Sequence, residues 1–335
     1  MIPHLDIAVS EPTQVGEARR AASRLATDHD LDETAVGRVA IIVTELGNNL
    51  WRHAAKGRLL VGCRRTDEGC RLEVIAIDSG PGMDIARCLR DGYSSGGTPG
   101  TGLGAVQRLS TDFSAFSMPE KGSVILSRTW VPSSSAAGAT PARARFAHAG
   151  ICLAAPGETV SGDAWDIRIA DGRATVIVAD GLGHGPVAAE AAAEALKVFA
   201  TATGSPSAIL ERAHPLMRST RGAAVSIAEL DANANAITYA GAGNISGRMI
   251  SGVEDRSLMS QHGTLGVQIR KLQDVRYDWP EHSLVVLHSD GLVTRWNLKD
   301  AGGLFQCDPA VIAGWLLRDH TRGHDDVTVV VLKRD

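Results

Sequence analysis

Residues 36–82 read VGRVAIIVTELGNNLWRHAAKGRLLVGCRRTDEGCRLEVIAIDSGPG, and this stretch decides the fold of the first half of the chain. Apolar residues recur in it at intervals of three and four: Val36, Val39, Val43, Leu46 and Leu50. This spacing predicts a helix with one apolar face, and Asp32 stands where its N-cap is expected. Two apolar segments follow, RLLVGC (58–63) and RLEVIAI (71–77), and the turn TDEG (66–69) between them predicts a hairpin.

The remainder of the first half repeats this combination of helix and strand. Val15, Ala18, Ala22 and Leu25 have helical spacing, and SVILSRTWV (123–131) is typical of a strand. Helices followed by antiparallel strands favour an α/β sandwich over a doubly wound parallel sheet.

Composition indicates a globular protein with more than one core. The chain has 335 residues, 44% of them hydrophobic and 21% charged, which predicts two domains and excludes general disorder. The formal net charge is -4 and the pI is near 6.3, which argues against nucleic acid as a main partner.

The cysteines and the hydropathy pattern indicate a reducing compartment. The five cysteines form no CxxC pair, so neither a zinc ribbon nor a disulfide framework is expected: Cys63, Cys70, Cys88, Cys152 and Cys307. The N-terminal residues have no basic stretch followed by an apolar run, and no apolar run is long enough to span a bilayer. We therefore expect a cytoplasmic protein without a signal peptide or a membrane span.

The segment VPSSSAAGATPARARFAHA (131–149) differs in composition from its surroundings. It contains two prolines, three consecutive serines and no apolar periodicity, which is typical of a linker. The predicted division is therefore a first domain over 1–131, a flexible linker over 132–149 and a second domain over 150–335. A long surface loop within one domain is the alternative.

The second half is richer in strands. AWDIRIA (164–170) and RATVIVA (173–179) are joined by Asp171-Gly172, a strong hairpin signal. Further strands are predicted over 223–230, 236–241, 283–289 and 326–332, and helices over 186–201, 206–219 and 309–320. This pattern predicts a β-sandwich with helical outer layers, so the whole chain is expected to be α+β.

Three polar or glycine-rich motifs in the first half have the chemistry of a nucleotide site. They are Glu45 with Asn49 on the predicted helix, Asp78-Ser-Gly80-Pro-Gly82 after a strand, and Gly100-Thr-Gly102-Leu-Gly104 before a helix. A carboxylate at a strand end can accept a hydrogen bond from a base amine, and glycines opening a helix leave free N–H groups for phosphates. An asparagine oxygen can hold hydrated magnesium, and a nearby glutamate can deprotonate a nucleophile. Each motif alone is also compatible with a turn or a solvated helix face.

Together, ELGNN with His53, DSGPGM (78–83) and GTGLG (100–104) resemble the three ATP-binding boxes of the GHKL (Bergerat-fold) ATPase superfamily. The stretch TELGNNLWRHAAKGRLLVG is similar to the anti-sigma serine/threonine kinases, particularly the switch kinases of stressosomes. The resemblance implies that Asp78 contacts adenine, Asn49 holds magnesium and Glu45 acts as general base, with Tyr93–Gly100 as a short lid. His53 is expected to be a packing or lid contact. An ATP-binding docking module without phosphotransfer remains the alternative.

Aspartates mark the strand boundaries of the second half. They occur in four short motifs: SGD (161–163) with Asp163, ADGLGHG (179–185) with Asp180, SDG (289–291) with Asp290, and HDDVT (324–328) with Asp325. Carboxylates grouped at one edge of a sandwich repel each other unless cations lie between them, and Mg²⁺ or Mn²⁺ accepts such an all-oxygen shell. Two bridged metals can activate water for attack on phosphorus. For a single cluster, an ordinary Asp-Gly turn is the alternative.

This arrangement resembles the SpoIIE branch of the protein phosphatase 2C superfamily, which implies an αββα sandwich. By that resemblance Asp180 bridges two manganese or magnesium ions, and Gly181 coordinates through its backbone carbonyl. Asp290 and Asp325 complete the coordination of one ion. Asp163 coordinates the other ion, directly or through water. Asp166 is expected to be structural. Leu182 stands where eukaryotic members have a histidine, His184 is a candidate general acid, and no arginine is assigned as the phosphate ligand.

The combination predicts a bifunctional switch. The first domain would phosphorylate, and the second dephosphorylate, serine or threonine on STAS-domain proteins of a stressosome or an anti-sigma antagonist, with a sigma factor as a possible further partner and a homodimer as a possible state. In the alternative, the first domain is an adaptor or regulatory ATP-binding module and only the phosphatase is catalytic.

Overall fold

The computed structural model describes residues 3–66, 68–90, 102–133, 146–252 and 254–334. Within these ranges, the first half contains five strands and four helices: β1 (Leu5–Ala8), α1 (Pro12–Asp28), α2 (Glu33–His53), β2 (Arg58–Thr66), β3 (Gly69–Asp78), α3 (Ile85–Cys88), α4 (Gly102–Leu109), β4 (Asp112–Met118) and β5 (Gly122–Pro132). No helix of the described ranges is both long and apolar enough to cross a membrane.

The strands of the first half form one antiparallel sheet in the order β1-β2-β3-β5-β4. The predicted helix and hairpin are confirmed, with β2 and β3 paired as far as Thr66 opposite Gly69. Asp32 caps α2, since its Oδ1 accepts a hydrogen bond from the Ala35 amide at 2.7 Å. The edge strands β1 and β4 were not predicted, because their sequences are short and carry few β-branched residues.

The described residues of the second half form twelve strands and three α-helices. They are β6 (Phe146–Leu153), β7 (Asp163–Ala170), β8 (Arg173–Gly181), α5 (Pro186–Thr201), α6 (Pro206–Leu216), β9 (Ala223–Asp231), β10 (Ala236–Ala242), β11 (Ser246–Ile250), β12 (Asp255–Leu258), β13 (Gly263–Thr264), β14 (Gln268–Ile269), β15 (Val275–Asp278), β16 (Leu284–His288), α7 (Pro309–His320) and β17 (Val327–Arg334). Two short 3-10 helices cover Met217–Ser219 and Leu304–Gln306.

Two five-stranded antiparallel sheets form the sandwich, in the orders β15-β10-β9-β8-β7 and β12-β11-β16-β17-β6. Strand β8 is apolar on both faces: Val176 and Val178 enter one hydrophobic cluster with residues of both sheets, whereas Ile177 and Ala179 enter a second cluster with α5 and α6. The predicted Asp171-Gly172 turn is confirmed, with positive φ at both residues. The α+β fold with a sandwich in each half is therefore as predicted.

The chain divides into two compact units that do not follow the sequence order. One unit contains the described residues of 2–141 together with Asn297–Arg318, and the other contains those of 142–296 and 319–335. The predicted second domain (150–335) thus gives most of α7 to the first unit. The sequence of α7 explains this grouping, because every residue from Pro309 to Leu317 is apolar and buried, as in a helix enclosed on all sides.

Helix α7 covers the face of the first sheet that α1 and α2 leave open. Gly314 approaches so closely that a Cβ there would lie 3.0 Å from Val124 Cγ1 and 3.4 Å from Ile77 Cδ1. Trp315 packs edge-on against Phe116 of β4, with ring centroids 4.8 Å apart. Because both faces of β3 are covered, the segment VIAI (74–77) reads as a continuous apolar run.

Strands β5 and β6 include the two ends of the predicted linker. Strand β5 extends to Pro132, and β6 begins at Phe146, where it pairs with β17 from Phe146 opposite Arg334 to Leu153 opposite Val327. Residues 146–149 fall in the predicted linker because that segment has no apolar periodicity, whereas eight residues of ladder pairing hold them in the sheet. Residues 134–145 lie outside the described residues.

Candidate functional site

Helix α2 directs Glu45 and Asn49 toward the start of α4. The two half-buried side chains are one helical turn apart, and α4 begins at Gly102. A Cβ on Gly102 would lie 2.9 Å from Glu45 Oε2 and 4.0 Å from Asn49 Oδ1. The structure therefore brings three of the predicted nucleotide residues together.

Asp78 ends β3 as a buried carboxylate, 7% exposed. Its Oδ1 accepts a hydrogen bond from the Gly80 amide at 2.6 Å. Burial raises the pKa of Asp78, an effect that the Gly80 hydrogen bond and the positive charge of Arg318 oppose. Ser123 lies opposite Asp78 in the β3–β5 register and also hydrogen-bonds to it; this buried serine was not among the predicted site residues.

The loop after Asp78 packs against the last turn of α2. A Cβ on Gly80 would lie 3.1 Å from the carbonyl oxygen of His53, which stands one turn after Asn49. Gly82 has a φ of +74°, and a Cβ there would meet the Met118 carbonyl oxygen at 2.2 Å. The His53 side chain is exposed, so its packing role belongs to the backbone.

Of the other residues in the predicted nucleotide motifs, Gly104 and Gly47 lie in helices, and Gly100 is not among the described residues. Gly104 is a buried residue of α4, two residues after its start at Gly102. Gly100 and the predicted lid lie outside the described residues. Gly47, in the middle of ELGNN, has a packing reason that was not predicted: a Cβ there would be 2.9 Å from Val15 Cγ1, so it permits close approach of α1 and α2.

The second site is a carboxylate cluster, the name used below for Asp163, Asp180, Asp290, Asp325 and Asp326. Asp163 and Asp180 are directly opposite each other in the β7–β8 ladder. The other three follow β16 or precede β17. Burial raises the pKa of Asp180, and the negative charges of the other four carboxylates raise it further. The fold therefore collects the predicted aspartates at one place.

Asp163 shows that this cluster suits cations. It is 5% exposed, and the hydroxyl groups of Ser289 and Thr328 lie close enough to lower its pKa. Burial, together with the neighbouring charges of Asp326 and Asp290, outweighs these hydroxyls and raises the pKa of Asp163. A buried carboxylate among other carboxylates is costly unless it is protonated or lies beside a cation, so the donor set fits hard divalent metals.

The remaining predicted ligands, Gly181, Asp290 and Asp325, are positioned by close backbone packing or by hydrogen bonds from neighbouring residues. Gly181 has no room for a side chain, since a Cβ would lie 2.1 Å from the Ala188 carbonyl oxygen at the start of α5. Asp290 accepts a hydrogen bond from Asn244 Nδ2 at 2.7 Å, and Asp325 accepts one from the Asp326 amide at 2.9 Å.

Two members of this site were missed as site residues. Asn244 lies in AGAGNI (240–245), and its amide orients Asp290. Asp326 accepts hydrogen bonds from the amides of Ala155 at 2.8 Å and Gly162 at 2.9 Å, so it ties two loops to the start of β17. The doubled aspartate in HDDVT was the available indication.

Other residues considered earlier lie apart from the cluster or at its edge. Asp166 is three residues from Asp163 on β7, which places the two side chains on opposite faces. Leu182 is 46% exposed. His184 is exposed, and its Nδ1 lies 2.7 Å from Glu158 Oε1. Among the described residues, no three His, Cys, Asp or Glu side chains are arranged to hold one metal directly.

Comparison with known proteins divides the chain in the same two halves. Residues 8–128 match the histidine kinase-like ATPase domain (HATPase_c_2), and residues 170–335 match the stage II sporulation protein E (SpoIIE) family. The serine/threonine-protein kinase RsbT of Bacillus subtilis (strain 168) is 32% identical over 116 residues, which are 34% of this chain and 86% of the kinase. The phosphoserine phosphatase RsbX of the same organism is 30% identical over 183 residues, 52% of this chain and 88% of the phosphatase.

Two solved structures are similar to part of the chain. One, from work on the bacterial stressosome as a modular system adapted to control secondary messenger signaling, is 25% identical with a TM-score of 0.53, and the match covers 56% of this chain and 99% of that one. The other, RsbX in complex with magnesium, is 24% identical with a TM-score of 0.51 and coverages of 57% and 96%. The chain therefore belongs to two families at once: it joins a histidine kinase-like ATPase domain to a phosphatase domain of the SpoIIE family.

Proposed function

We propose that this chain both adds phosphate to and removes it from serine or threonine of a partner protein. The observation that carries the proposal is that one chain holds two assembled sites: Glu45 and Asn49 meet at Gly102, and the carboxylate cluster surrounds Asp163. The names of the relatives, a serine/threonine-protein kinase and a phosphoserine phosphatase, support this pair of activities. A STAS-domain protein of a stressosome is the proposed partner.

In the proposed kinase site, Asp78 accepts a hydrogen bond from the adenine amine. The start of α4 directs its free N–H groups at the phosphates, and Asn49 holds magnesium by its amide oxygen. Glu45 accepts the proton of the attacking hydroxyl, which then takes the γ-phosphoryl group of ATP. The contact of Glu45 with Gly102 places this base beside the helix end that receives the phosphates.

In the proposed phosphatase site, Asp163, Asp180, Asp290, Asp325 and the Gly181 carbonyl hold two manganese or magnesium ions, with water completing each shell. When bound, the ions lower the pKa of water and neutralise charge on the phosphoryl group. Asn244 keeps Asp290 in position, and Asp326 fixes the loops around the site from behind.

Label transfer from γ-labelled ATP to a STAS-domain partner tests the proposal. In Asp290→Asn the phosphorylated partner should accumulate above the wild-type level, because removal is blocked. In Glu45→Gln/Asp290→Asn the label should disappear while ATP affinity stays nearly unchanged. Asp166→Asn, on the other face of β7, is the matched control and should equal wild type. Accumulation that persists without Glu45 would contradict the assigned base.

A second candidate function is regulatory, and one contact favours it. Arg318 of α7 donates a hydrogen bond from Nη1 to the Asp78 carbonyl oxygen at 3.4 Å, and the chain continues from α7 into Asp325. Nucleotide bound at Asp78 would then act on the phosphatase through this helix without phosphotransfer. Under this function Glu45→Gln leaves the ATP dependence of phosphatase activity intact, whereas Arg318→Ala removes it.

A further inference from the structure

Arg221 lies beside the turn at Gly183, in the loop that follows Asp180 of the carboxylate cluster. The residue is exposed and directly precedes Gly222 at the entrance to β9. Its Nη1 is 3.2 Å from the point that a Cβ on Gly183 would occupy, and Gly183 follows Asp180 by three residues. None of the described residues forms a hydrogen bond or an ion pair with this guanidinium. The guanidinium beside the turn at Gly183 therefore keeps its donors available.

The backbone on both sides holds Arg221 in this place. The Leu182 amide donates to the Gly222 carbonyl at 3.0 Å, which joins the Arg221 loop to the loop after Asp180. Gly222 has a φ of +85°, and Ala223 exchanges two hydrogen bonds with Leu265, at 3.1 and 2.9 Å. Asp180 itself lies opposite Ala224 in the β8–β9 ladder. The guanidinium is thus attached to a rigid backbone close to the central aspartate.

Gly183 connects Arg221 with the interior of the cluster. The point that a Cβ on Gly162 would occupy lies 3.3 Å from the Gly183 carbonyl oxygen and 2.8 Å from Asp326 Oδ2. Gly183 is therefore adjacent both to Arg221 and to the loop of Gly162, which directly precedes Asp163. A phosphate monoester is dianionic near neutral pH, and a guanidinium presents paired donors that match two of its oxygens.

We infer that Arg221 binds the phosphate of the phosphoserine or phosphothreonine substrate at the second site. The inference rests on the proposed phosphatase function and supplies the phosphate ligand that the sequence left unassigned. Arg221 holds the phosphoryl group at the edge of the carboxylate cluster, while the bond to the serine or threonine oxygen is broken by water. Its free donors and its place beside Gly183 carry the assignment.

Steady-state hydrolysis by the full chain with Mn²⁺ tests this role. The substrates are a phosphoserine peptide and para-nitrophenyl phosphate, and inorganic phosphate serves as a product inhibitor that reports binding apart from turnover. In Arg221→Ala we expect the KM for the peptide and the inhibition constant for phosphate to rise about tenfold or more, as for a lost charge-assisted hydrogen bond. The kcat should change less. Arg221→Lys should recover part of the affinity, because lysine keeps the charge without the planar fork.

Arg218→Ala is the matched control, since Arg218 is equally exposed three residues earlier in the chain and has no assigned role. It should match wild type in both constants. Suppose that the wild-type protein hydrolyses the substrates and that a folded Arg221→Ala protein has an unchanged inhibition constant for phosphate. That result would contradict the role of Arg221 and leave the proposed phosphatase function standing. A wild-type protein that does not hydrolyse either substrate would remove the proposed phosphatase function itself.

Discussion

At the scale of single residues, Asp163 connects burial with metal chemistry. Its carboxylate is buried, and the charges of Asp326 and Asp290 raise its pKa further. Such a group costs free energy in the folded state whenever it is ionised and no cation is present. The same surroundings become favourable once a divalent ion lies between the carboxylates. The cluster should therefore lower the stability of the metal-free protein and favour metal binding.

Replacing this residue should change the stability of metal-free protein. In Asp163→Asn with chelator present, we expect the second unit to gain about 1–3 kcal/mol of unfolding free energy, because an uncompensated charge is removed. Addition of Mn²⁺ should then stabilise the variant much less than wild type. Thermal unfolding with and without Mn²⁺ measures both effects, with Asp166→Asn as control. A wild-type response to Mn²⁺ in Asp163→Asn would contradict its assignment as a ligand.

Glu73 is a second residue whose charge is set by the fold. Burial alone would raise the pKa of Glu73, but a hydrogen bond with His4 and the charge of Arg128 outweigh burial and lower it. The Glu73 carboxylate is 3.0 Å from His4 Nε2 and 3.1 Å from Arg128 Nε. Arg128 also donates through Nη2 to Asp308 at 2.9 Å, so the network reaches the segment before α7.

Stability of the first unit should therefore depend on Glu73 and on pH. Because the folded pKa is depressed, the stabilisation is fully present above the unfolded glutamate pKa of about 4.3 and is lost as pH falls below it. Glu73→Gln should cost roughly 3 kcal/mol at pH 7, since it breaks a buried ion pair. In denaturant titrations, the difference in unfolding free energy between Glu73→Gln and wild type should shrink below pH about 4. Glu17→Gln, at an exposed position of α1, is the control and should have the unfolding free energy of wild type. A loss of unfolding free energy in Glu73→Gln that does not change with pH would contradict the ionic explanation.

At the scale of elements, α7 is the helix whose placement changes the division of the chain. It follows β16 in sequence but packs on β3, β4 and β5 through Gly314 and Trp315. A strand apolar on both faces, such as β3, requires a second covering layer, and α7 supplies it.

Truncation of Trp315 should accordingly destabilise the first unit, although the residue belongs to the second half of the sequence. Trp315→Ala should lower its unfolding free energy by about 3–5 kcal/mol, because a large buried ring and its contact with Phe116 are lost. Hydrogen exchange of β3 and β5 amides measures the effect where it is expected. Ile41→Ala, at an exposed position of α2, is the control and should leave exchange unchanged. Unaltered protection of β3 in Trp315→Ala would show that α7 does not stabilise this sheet.

At the scale of the whole molecule, one chain joins domains of two families, a histidine kinase-like ATPase domain and a SpoIIE-type phosphatase domain. Glu45→Gln and Asp290→Asn should separate the two proposed activities, because each residue lies in one unit only. The exchange of α7 between sequence halves means that neither unit consists of one continuous segment. Separated halves cut at the predicted linker would therefore leave the first sheet without its second layer.

Much of this organisation was determined by the sequence alone. Helix α2 and its cap, the β2–β3 and β7–β8 hairpins and the grouping of aspartates at strand ends all follow from short-range spacing, which local backbone geometry translates directly into structure. The resemblance of the motifs to two known families supplied the proposed roles of their residues. These features involve neighbours in sequence, or strand ends that any such sandwich brings to one edge.

Only the tertiary structure decided the rest, because the interactions join residues far apart in the chain. The place of α7 depends on which apolar face remains open after the first sheet forms, and no local pattern states this. Strand β6 exists through its ladder with β17, despite a weak sequence of its own. Asn244 reaches Asp290 across 46 residues of sequence, and Arg221 meets Gly183 only after β9 pairs with β8. Their functional interest comes from proximity, which long-range packing creates.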